Sequence, residues 1–390
     1  QTMSNIIYLD HNATTPVDSE VRDAMLPFLG DNFGNPSSIY AHGREARQAV
    51  GAAREKVAKL INAQPEEIIV TSGGTEADNL AIKGVAFALR EKGNHIITSA
   101  IEHHAVLKSC KWLEKQGFAV SYIGVDRDGI INIEELRQTI TDKTILITVM
   151  HANNETGAIQ PIAEISRIGK ERGIAVHTDA VQSVGKIPVN VADLGVNLLS
   201  LSGHKIYGPK GVGALFIKKG TRMMSLFHGG SHEWNRRGGT ENVPGIIGLG
   251  KAAELALMKS HADAERERSL RNRLLNGIKE NVPDIIVATN PEKSIPNTLM
   301  ICVKWVEGEA ILLHLDALGI EVSSGSACTS GSLDPSHVLL AMGVPVETAH
   351  GSVRFSLGRT TTAAEIDRVI ETFPAIIRNL RAMSPETPVQ

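Results

Sequence analysis

The chain is poor in cysteine, poor in aromatic side chains and nearly free of net charge. Its three cysteines, Cys110, Cys302 and Cys328, are scattered over 390 residues with no CxxC spacing. That usage excludes a disulfide framework and a zinc knuckle. Aromatics make up 4% of the chain and the net charge is −3, with no basic block. Nucleic-acid binding, which needs a positive face and stacking platforms, is therefore not expected. No apolar run approaches the roughly 18 residues of a membrane span. The first residues lack a basic segment followed by an apolar one, so no secretion signal is expected and the cytoplasm is the expected compartment. Histidine is plentiful, at 14, but no HExxH or His/Cys cluster has ligand spacing. His103 and His104 are adjacent and so point apart. No metal site is expected.

What is present is an apolar chain with alternating periodicities. Hydrophobic residues are 42% of the total, enough for a large core, and the length fits two or three domains. Ala46, Val50, Ala53, Val57 and Leu60 recur at helical spacing, and Thr75 to Glu91 reads as a further helix. Short strand-like runs stand at Ile68–Thr71, Ile96–Thr98, Ile145–Val149, Ile174–His177, Asn197–Leu201 and Ala214–Ile217. Helical patterns at Ala105–Gln116 and Ile162–Arg172 separate several of them. This is an α/β pattern with a mainly parallel sheet. A long helix is expected over Asn242–Glu280, its stretch His261–Arg273 reading from its charge as mostly a solvated face. Beyond it come a strand at Asn297–Val303 and helices at Glu307–Leu318 and Ala363–Arg381. A domain boundary is expected near Met258.

Several segments carry chemistry. The apolar run Asn197–Leu201 leads straight into Ser202-Gly203-His204-Lys205. A lysine at the end of a buried strand is costly unless paired, exposed or chemically used. Burial lowers its pKa, and a neutral amine can form a Schiff base with an aldehyde; the alternative is a lysine that snorkels into water. Thr71-Ser72-Gly73-Gly74-Thr75-Glu76 lies between a strand and a helix, where converging backbone N–H groups suit a phosphate. A plain turn with Thr75 as N-cap is the rival there. Asp179 follows a strand, where a carboxylate faces the ligand crevice of an open α/β sheet and could hold a pyridinium N–H. Cys328 sits in Ser323-Ser324-Gly325-Ser326-Ala327-Cys328-Thr329-Ser330-Gly331-Ser332, a segment too polar to be core and expected to be a mobile loop. Cys302, in the apolar run Leu299–Val303, reads as core, and Cys110 as structural.

Seven motifs occur in order: Tyr8-Leu9-Asp10-His11-Asn12-Ala13-Thr14-Thr15-Pro16, Gly34-Asn35-Pro36-Ser37-Ser38, Asn153-Asn154-Glu155-Thr156-Gly157, Asp179-Ala180-Val181-Gln182-Ser183, Ser202-Gly203-His204-Lys205, Gly208-Pro209-Lys210-Gly211 and Arg237-Gly238-Gly239-Thr240-Glu241-Asn242. Together they resemble the NifS/IscS group of cysteine desulfurases, class V aminotransferase-like enzymes that use pyridoxal phosphate (PLP). The resemblance runs from Ile7 to Met383, and the Gly-Thr-Glu-Asn form at 239–242 looks closer to NifS. It implies PLP fold type I: a large domain, 15–258, with a mainly parallel seven-stranded sheet sandwiched by helices. A smaller α+β domain, 1–14 and 259–390, would carry the cysteine loop at 323–335.

The resemblance also implies roles. Lys205 matches the Schiff-base lysine, Asp179 the carboxylate on the pyridine nitrogen, and Gln182 the amide near the ring hydroxyl. His103 matches the histidine stacked on the ring and a candidate proton relay. Gly74, Thr75, Ser202 and His204 match the phosphate cradle. Thr240 matches a phosphate contact from the other subunit, which implies a homodimer. Asn154 matches an amide of the cofactor and substrate pocket, and Arg354 the arginine that grips the substrate carboxylate. A planar guanidinium suits that task; Arg359 is the nearby competitor, expected in a surface ion pair. Cys328 matches the cysteine that takes sulfur from L-cysteine as a persulfide. An iron–sulfur scaffold protein of the NifU/IscU type is the implied acceptor. Another fold-type-I PLP reaction, selenocysteine lysis or aminotransfer, is the alternative, and the Cys328 loop argues against aminotransfer.

Overall fold

The computed structural model describes residues 6–325 and 334–384. Its strands, in chain order, are β1 (Ile7–Tyr8), β2 (Ile68–Thr71), β3 (His95–Ser99), β4 (Ala119–Ile123), β5 (Thr144–Thr148), β6 (Ala175–Asp179), β7 (Leu198–Ser202), β8 (Gly213–Ile217), β9 (Ile285–Val287), β10 (Thr298–Val303), β11 (Ile320–Glu321) and β12 (Ser352–Ser356). Seven of them form one sheet in the order β2-β8-β7-β6-β5-β3-β4. Only β8 runs against its neighbours; β4, β3, β5, β6 and β7 are parallel throughout. The mainly parallel α/β sheet expected from the alternation is present.

The strands are apolar on both faces because helices cover both faces. Alternate residues go to opposite cores, as a pleat requires. Ile97, Ile147, Val176, Leu199 and Phe216 pack on one side, with Val50, Val57 and Ile165. Ile96, Leu146, Leu198, Leu215 and Ile217 pack on the other, with Leu80, Val85 and Leu113. Helices Ala41–Leu60 and Ile162–Glu171 lie over the first face, and Gly74–Ala88 and His104–Glu114 over the second.

A separate antiparallel sheet, β12-β10-β9, has its own core. Leu299, Ile301, Val353 and Phe355 meet Leu270, Leu274 and Ile278 of one helix and Ile366, Val369 and Phe373 of another. The first of these helices, Val243–Asn281, is continuous for 39 residues. Its early turns, with Val243, Ile246, Leu249 and Ala253, belong to the core of the large sheet. Its later turns belong to the smaller one. Asn242 caps its start by accepting the Gly245 N–H, and Pro244 sits in the first turn, where no N–H is needed.

The stretch 261–273 departs from the solvated face expected of its charges. Glu267 and Arg271 are buried, Arg271 completely. The guanidinium of Arg271 donates to Ser294 Oγ, Thr298 O and Pro291 O, so loop oxygens replace water around it. No helix among the described residues is long and apolar enough to cross a membrane.

Candidate active site

The carboxyl ends of the large sheet open onto one cavity of about 430 Å³. This is where an open α/β sheet places its ligand crevice. Gly74, Thr75, His103, Asn154, Asp179, Gln182, Ser202, His204, Lys205 and Arg354 all line it. Several arrive by a short excursion from a strand end of the large sheet, whereas Arg354 stands within β12 of the smaller one. Asp179 closes β6 and Ser202 closes β7; Lys205 ends the 3-10 turn Gly203–Lys205 that follows. After β2, the helix Gly74–Ala88 begins at the cavity wall. His103 caps the helix that follows β3.

The helix start at Gly74 is built for an anion. Its N-cap is Gly73, not Thr75, and no side chain caps the first N–H groups. Thr75 lies inside the first turn. Gly73 has a positive φ of 149°, which a larger residue would adopt only under strain. A Cβ on Gly74 would sit 2.7 Å from Val181 Cγ2, so only glycine lets the helix start approach the Asp179 turn. Uncapped N–H groups beside the hydroxyls of Thr75 and Ser202 could hold a phosphate. His204 lies at the same edge with Nδ1 3.1 Å from Thr14 Oγ1. Burial pushes its pKa down to about 4, so it meets an anion as a neutral hydrogen-bonding group.

Asp179 is buried, with one oxygen accepting the Val181 N–H at 2.9 Å. Burial raises its pKa, against the pull of His103 and Lys205. Beside it is Asp78, also buried and pushed well upward by burial and by Asp179; its Oδ1 lies 3.6 Å from His177 Nε2 and has no hydrogen-bond partner among the described residues. His103 Nδ1 accepts the Ala105 N–H at 3.1 Å. The ring proton is therefore on Nε2, and burial keeps the ring neutral by lowering its pKa.

Lys205 Nζ donates to the carbonyls of Asn12 and Ala13 at 2.5 and 2.6 Å. Arg354, on β12, donates from Nη1 to Asn154 O at 2.9 Å and from Nη2 to Asp10 Oδ1 at 2.7 Å. Its buried Nε has no partner among the described residues. A guanidinium held in place at a cavity wall suits a ligand carboxylate. Arg359 differs: it donates to Asp18 and Asp263 and lies 4.2 Å over the Tyr207 ring. The donor set fits PLP: an anion cradle for the phosphate, a carboxylate for the ring N–H, a lysine for the aldehyde and a histidine at the ring.

One expected residue is not brought to this cavity. Thr240 is exposed and lines separate grooves with Glu241. Cys328 lies outside the described residues. The start of its segment is anchored: Ser323 exchanges backbone hydrogen bonds with Arg354, and Gly325 N–H donates to Ser352 Oγ. Cys110 and Cys302 are buried, and burial pushes both thiols up to about 12. Neither is a thiolate at neutral pH. Among the described residues, no group of three or more His, Cys, Asp or Glu side chains could hold a metal.

Sequence reasoning left Asp10, Asn12, Asp78 and Lys186 without roles. Asn12 uses every polar atom it has. Its N–H donates to Ser356 Oγ, its carbonyl accepts from Lys205 and Gln182, its Oδ1 accepts from Lys186 and Asn297, and its Nδ2 donates to Asn154 O and Thr298 Oγ1. The motif at Tyr8–Pro16 was the only signal that could have pointed to it.

Residues 7–369 match the aminotransferase class-V family. The chain is 55% identical over 383 residues to cysteine desulfurase IscS of Dictyoglomus turgidum, covering 98% of this chain and 97% of the relative. A solved NifS-like protein superposes with a TM-score of 0.91 at 39% identity, covering 96% of this chain and all of the other. The structure of SspA in complex with cysteine superposes with a TM-score of 0.81 at 36% identity, covering 91% of this chain and 100% of that one. This chain therefore belongs to the class-V aminotransferase family and, within it, to the cysteine desulfurases.

Proposed function

We propose that the protein is a PLP-dependent cysteine desulfurase that converts L-cysteine to L-alanine and carries the sulfur away as a persulfide on Cys328. One observation carries this reading: Lys205, Asp179 and the uncapped helix start at Gly74 line the same cavity as Arg354. The cysteine bound in a solved relative is the kind of ligand such a cavity takes.

When bound, PLP supplies an aldehyde that captures amines and a cationic ring that withdraws electrons from the substrate Cα. Gly74, Thr75, Ser202 and His204 would hold its phosphate, Asp179 its ring N–H, Gln182 its ring oxygen and His103 its face. Arg354 binds the substrate carboxylate, and Asn154 orients the guanidinium through its carbonyl. Lys205 Nζ takes the Cα proton and later returns one. His103 Nε2 is the nitrogen able to move a proton at the substrate sulfur, since Nδ1 is committed to Ala105. Cys328, as thiolate, attacks that sulfur; the S–S bond forms as the C–S bond breaks, and the electron pair leaves with the carbon fragment, which is protonated to alanine.

Thr240 is exposed and does not line its own chain's cavity, which supports a homodimer in which it reaches the partner's phosphate site. An iron–sulfur scaffold protein of the NifU/IscU type is the proposed acceptor. The cytoplasm is the proposed compartment, consistent with two free cysteines in the core. Cys328→Ala tests the sulfur route: the variant should keep the chromophore of bound PLP and lose alanine and sulfide production from L-cysteine. Unchanged turnover would refute the persulfide step.

A further inference from the structure

A second lysine lies buried behind Lys205, and neither the fold nor the reaction above accounts for it. Lys186 follows Gln182 by one turn of chain and is 8% exposed. Its Nζ donates to Gln182 Oε1 at 2.7 Å and to Asn12 Oδ1 at 2.8 Å. These directions do not depend on how the amides were placed. Gln182 Nε2 lies 2.9 Å from the Asn12 carbonyl, which only accepts, so Oε1 must face Lys186. Asn12 Nδ2 lies 3.2 Å from the Asn154 carbonyl, so Asn12 Oδ1 must face Lys186 too. A lysine can satisfy both oxygens with two N–H bonds whether or not it is charged.

An amide locked in this sense has one orientation left. Gln182 spends one N–H on Asn12 O and lines the cavity with its second N–H left to offer a ligand there. Without Lys186, the Asn12 carbonyl alone would hold the amide, and Oε1 would lose its donor. We propose that Lys186 is a positioning residue that locks Gln182 as a hydrogen-bond donor toward the ring oxygen of the cofactor. The inference rests on the PLP reading above. It explains a lysine at a site where burial is costly and where an apolar residue would leave Gln182 Oε1 without a donor and Asn12 Oδ1 with Asn297 alone. Burial and then Lys205 push the Lys186 amine down to about 7, with Glu267 of the long helix opposing and Arg354 of β12 adding. His11, from the N-terminal segment, faces the same charge. The two-donor arrangement therefore works on both sides of neutrality.

An N–H aimed at the ring oxygen favours its anionic form and lowers the pH at which the bound cofactor loses its proton. The test is the pH midpoint of the absorbance change of PLP bound to the full-length protein, read without substrate. Lys186→Met should raise that midpoint by about one pH unit, the shift that one hydrogen bond to an ionised oxygen sustains. Gln182→Met should raise it by a similar amount. The double variant should shift no further than the larger single, because one residue acts through the other. A purely structural lysine would lower the melting temperature and leave the midpoint in place. An unmoved midpoint in Lys186→Met, or additive shifts in the pair, would overturn the inference while leaving the PLP reading intact. If Lys186→Met does not fold, Lys186→Gln decides: a raised midpoint is expected, and one equal to the wild type's overturns the inference. A wild-type protein that takes up no PLP would overturn both.

Discussion

The two walls of the cavity are made in different ways. One wall is the carboxyl edge of the large sheet, where Gly74, Asp179, Ser202 and Lys205 each stand within a few residues of a strand end. The other wall joins segments far apart in the chain: Asp10 and Asn12, Asn154, Ser323 and Arg354. Its contacts are polar and long-range, such as Arg354 to Asp10 and Asn12 to Thr298. The first wall follows from topology alone. The second exists only when the smaller sheet is docked, so cofactor capture and substrate grip are separable properties of the same cavity.

Removing the lysine breaks the first wall most severely. Lys205→Ala should abolish the lysine-linked absorbance of bound PLP and reduce desulfuration by on the order of 10³-fold or more. Asp179→Asn should still accept the cofactor, more weakly, and lose about 10²-fold in kcat, because the buried carboxylate no longer stabilises a cationic ring. On the second wall the effect should fall on KM. Arg354→Ala should raise KM for L-cysteine about 10- to 100-fold, the worth of one or two charge-assisted bonds, with the cofactor spectrum unchanged. Arg359→Ala is the control: its partners are Asp18 and Asp263, so it should lower the melting temperature by a few degrees at most and leave KM alone. A KM effect from Arg359 instead of Arg354 would reverse the assignment.

A smaller effect probes the floor beneath the first wall. His177 is fully buried between Thr148 Oγ1 and Ser200 Oγ, and burial pushes its pKa down to about 3. Its folded value lies below its unfolded one, so its contribution to stability is complete above about pH 6.5 and is lost as the pH falls toward the folded value. From pH 7 to pH 5 this amounts to about 2 kcal/mol. His177→Gln should lose less stability than the wild type over that interval, measured by urea unfolding at both values. Equal losses would show that His177 is not the group responsible.

Much of the first wall was legible in the sequence, because each residue sits in a short motif beside a strand. The runs at Ile68–Thr71 and Ala214–Ile217 became β2 and β8 with bounds within a residue, since strands covered on both faces are simply apolar. The turn at Thr71–Glu76 was legible too, although Gly73 rather than Thr75 caps the helix. The second wall was mostly not legible. Lys186, Asn12 and Asp10 are ordinary polar residues until partners 142 or 344 positions away are beside them. The misreading of Arg271 has the same origin. Charge periodicity describes a helix in water, and Arg271 exchanges water for oxygens of a loop that the helix pattern cannot see.

The helix Val243–Asn281 sets a mechanical limit on this arrangement. Its 39 residues extend for about 58 Å at roughly 1.5 Å per residue, with no proline after its first turn. One end is rooted in the core beneath the PLP wall and the other in the core beneath Arg354. It works as a spar: swinging one sheet away from the other would require bending a beam clamped at both ends. Admission of substrate and departure of sulfur therefore fall to loops and side chains, while the distance between Lys205 and Arg354 is kept by the frame.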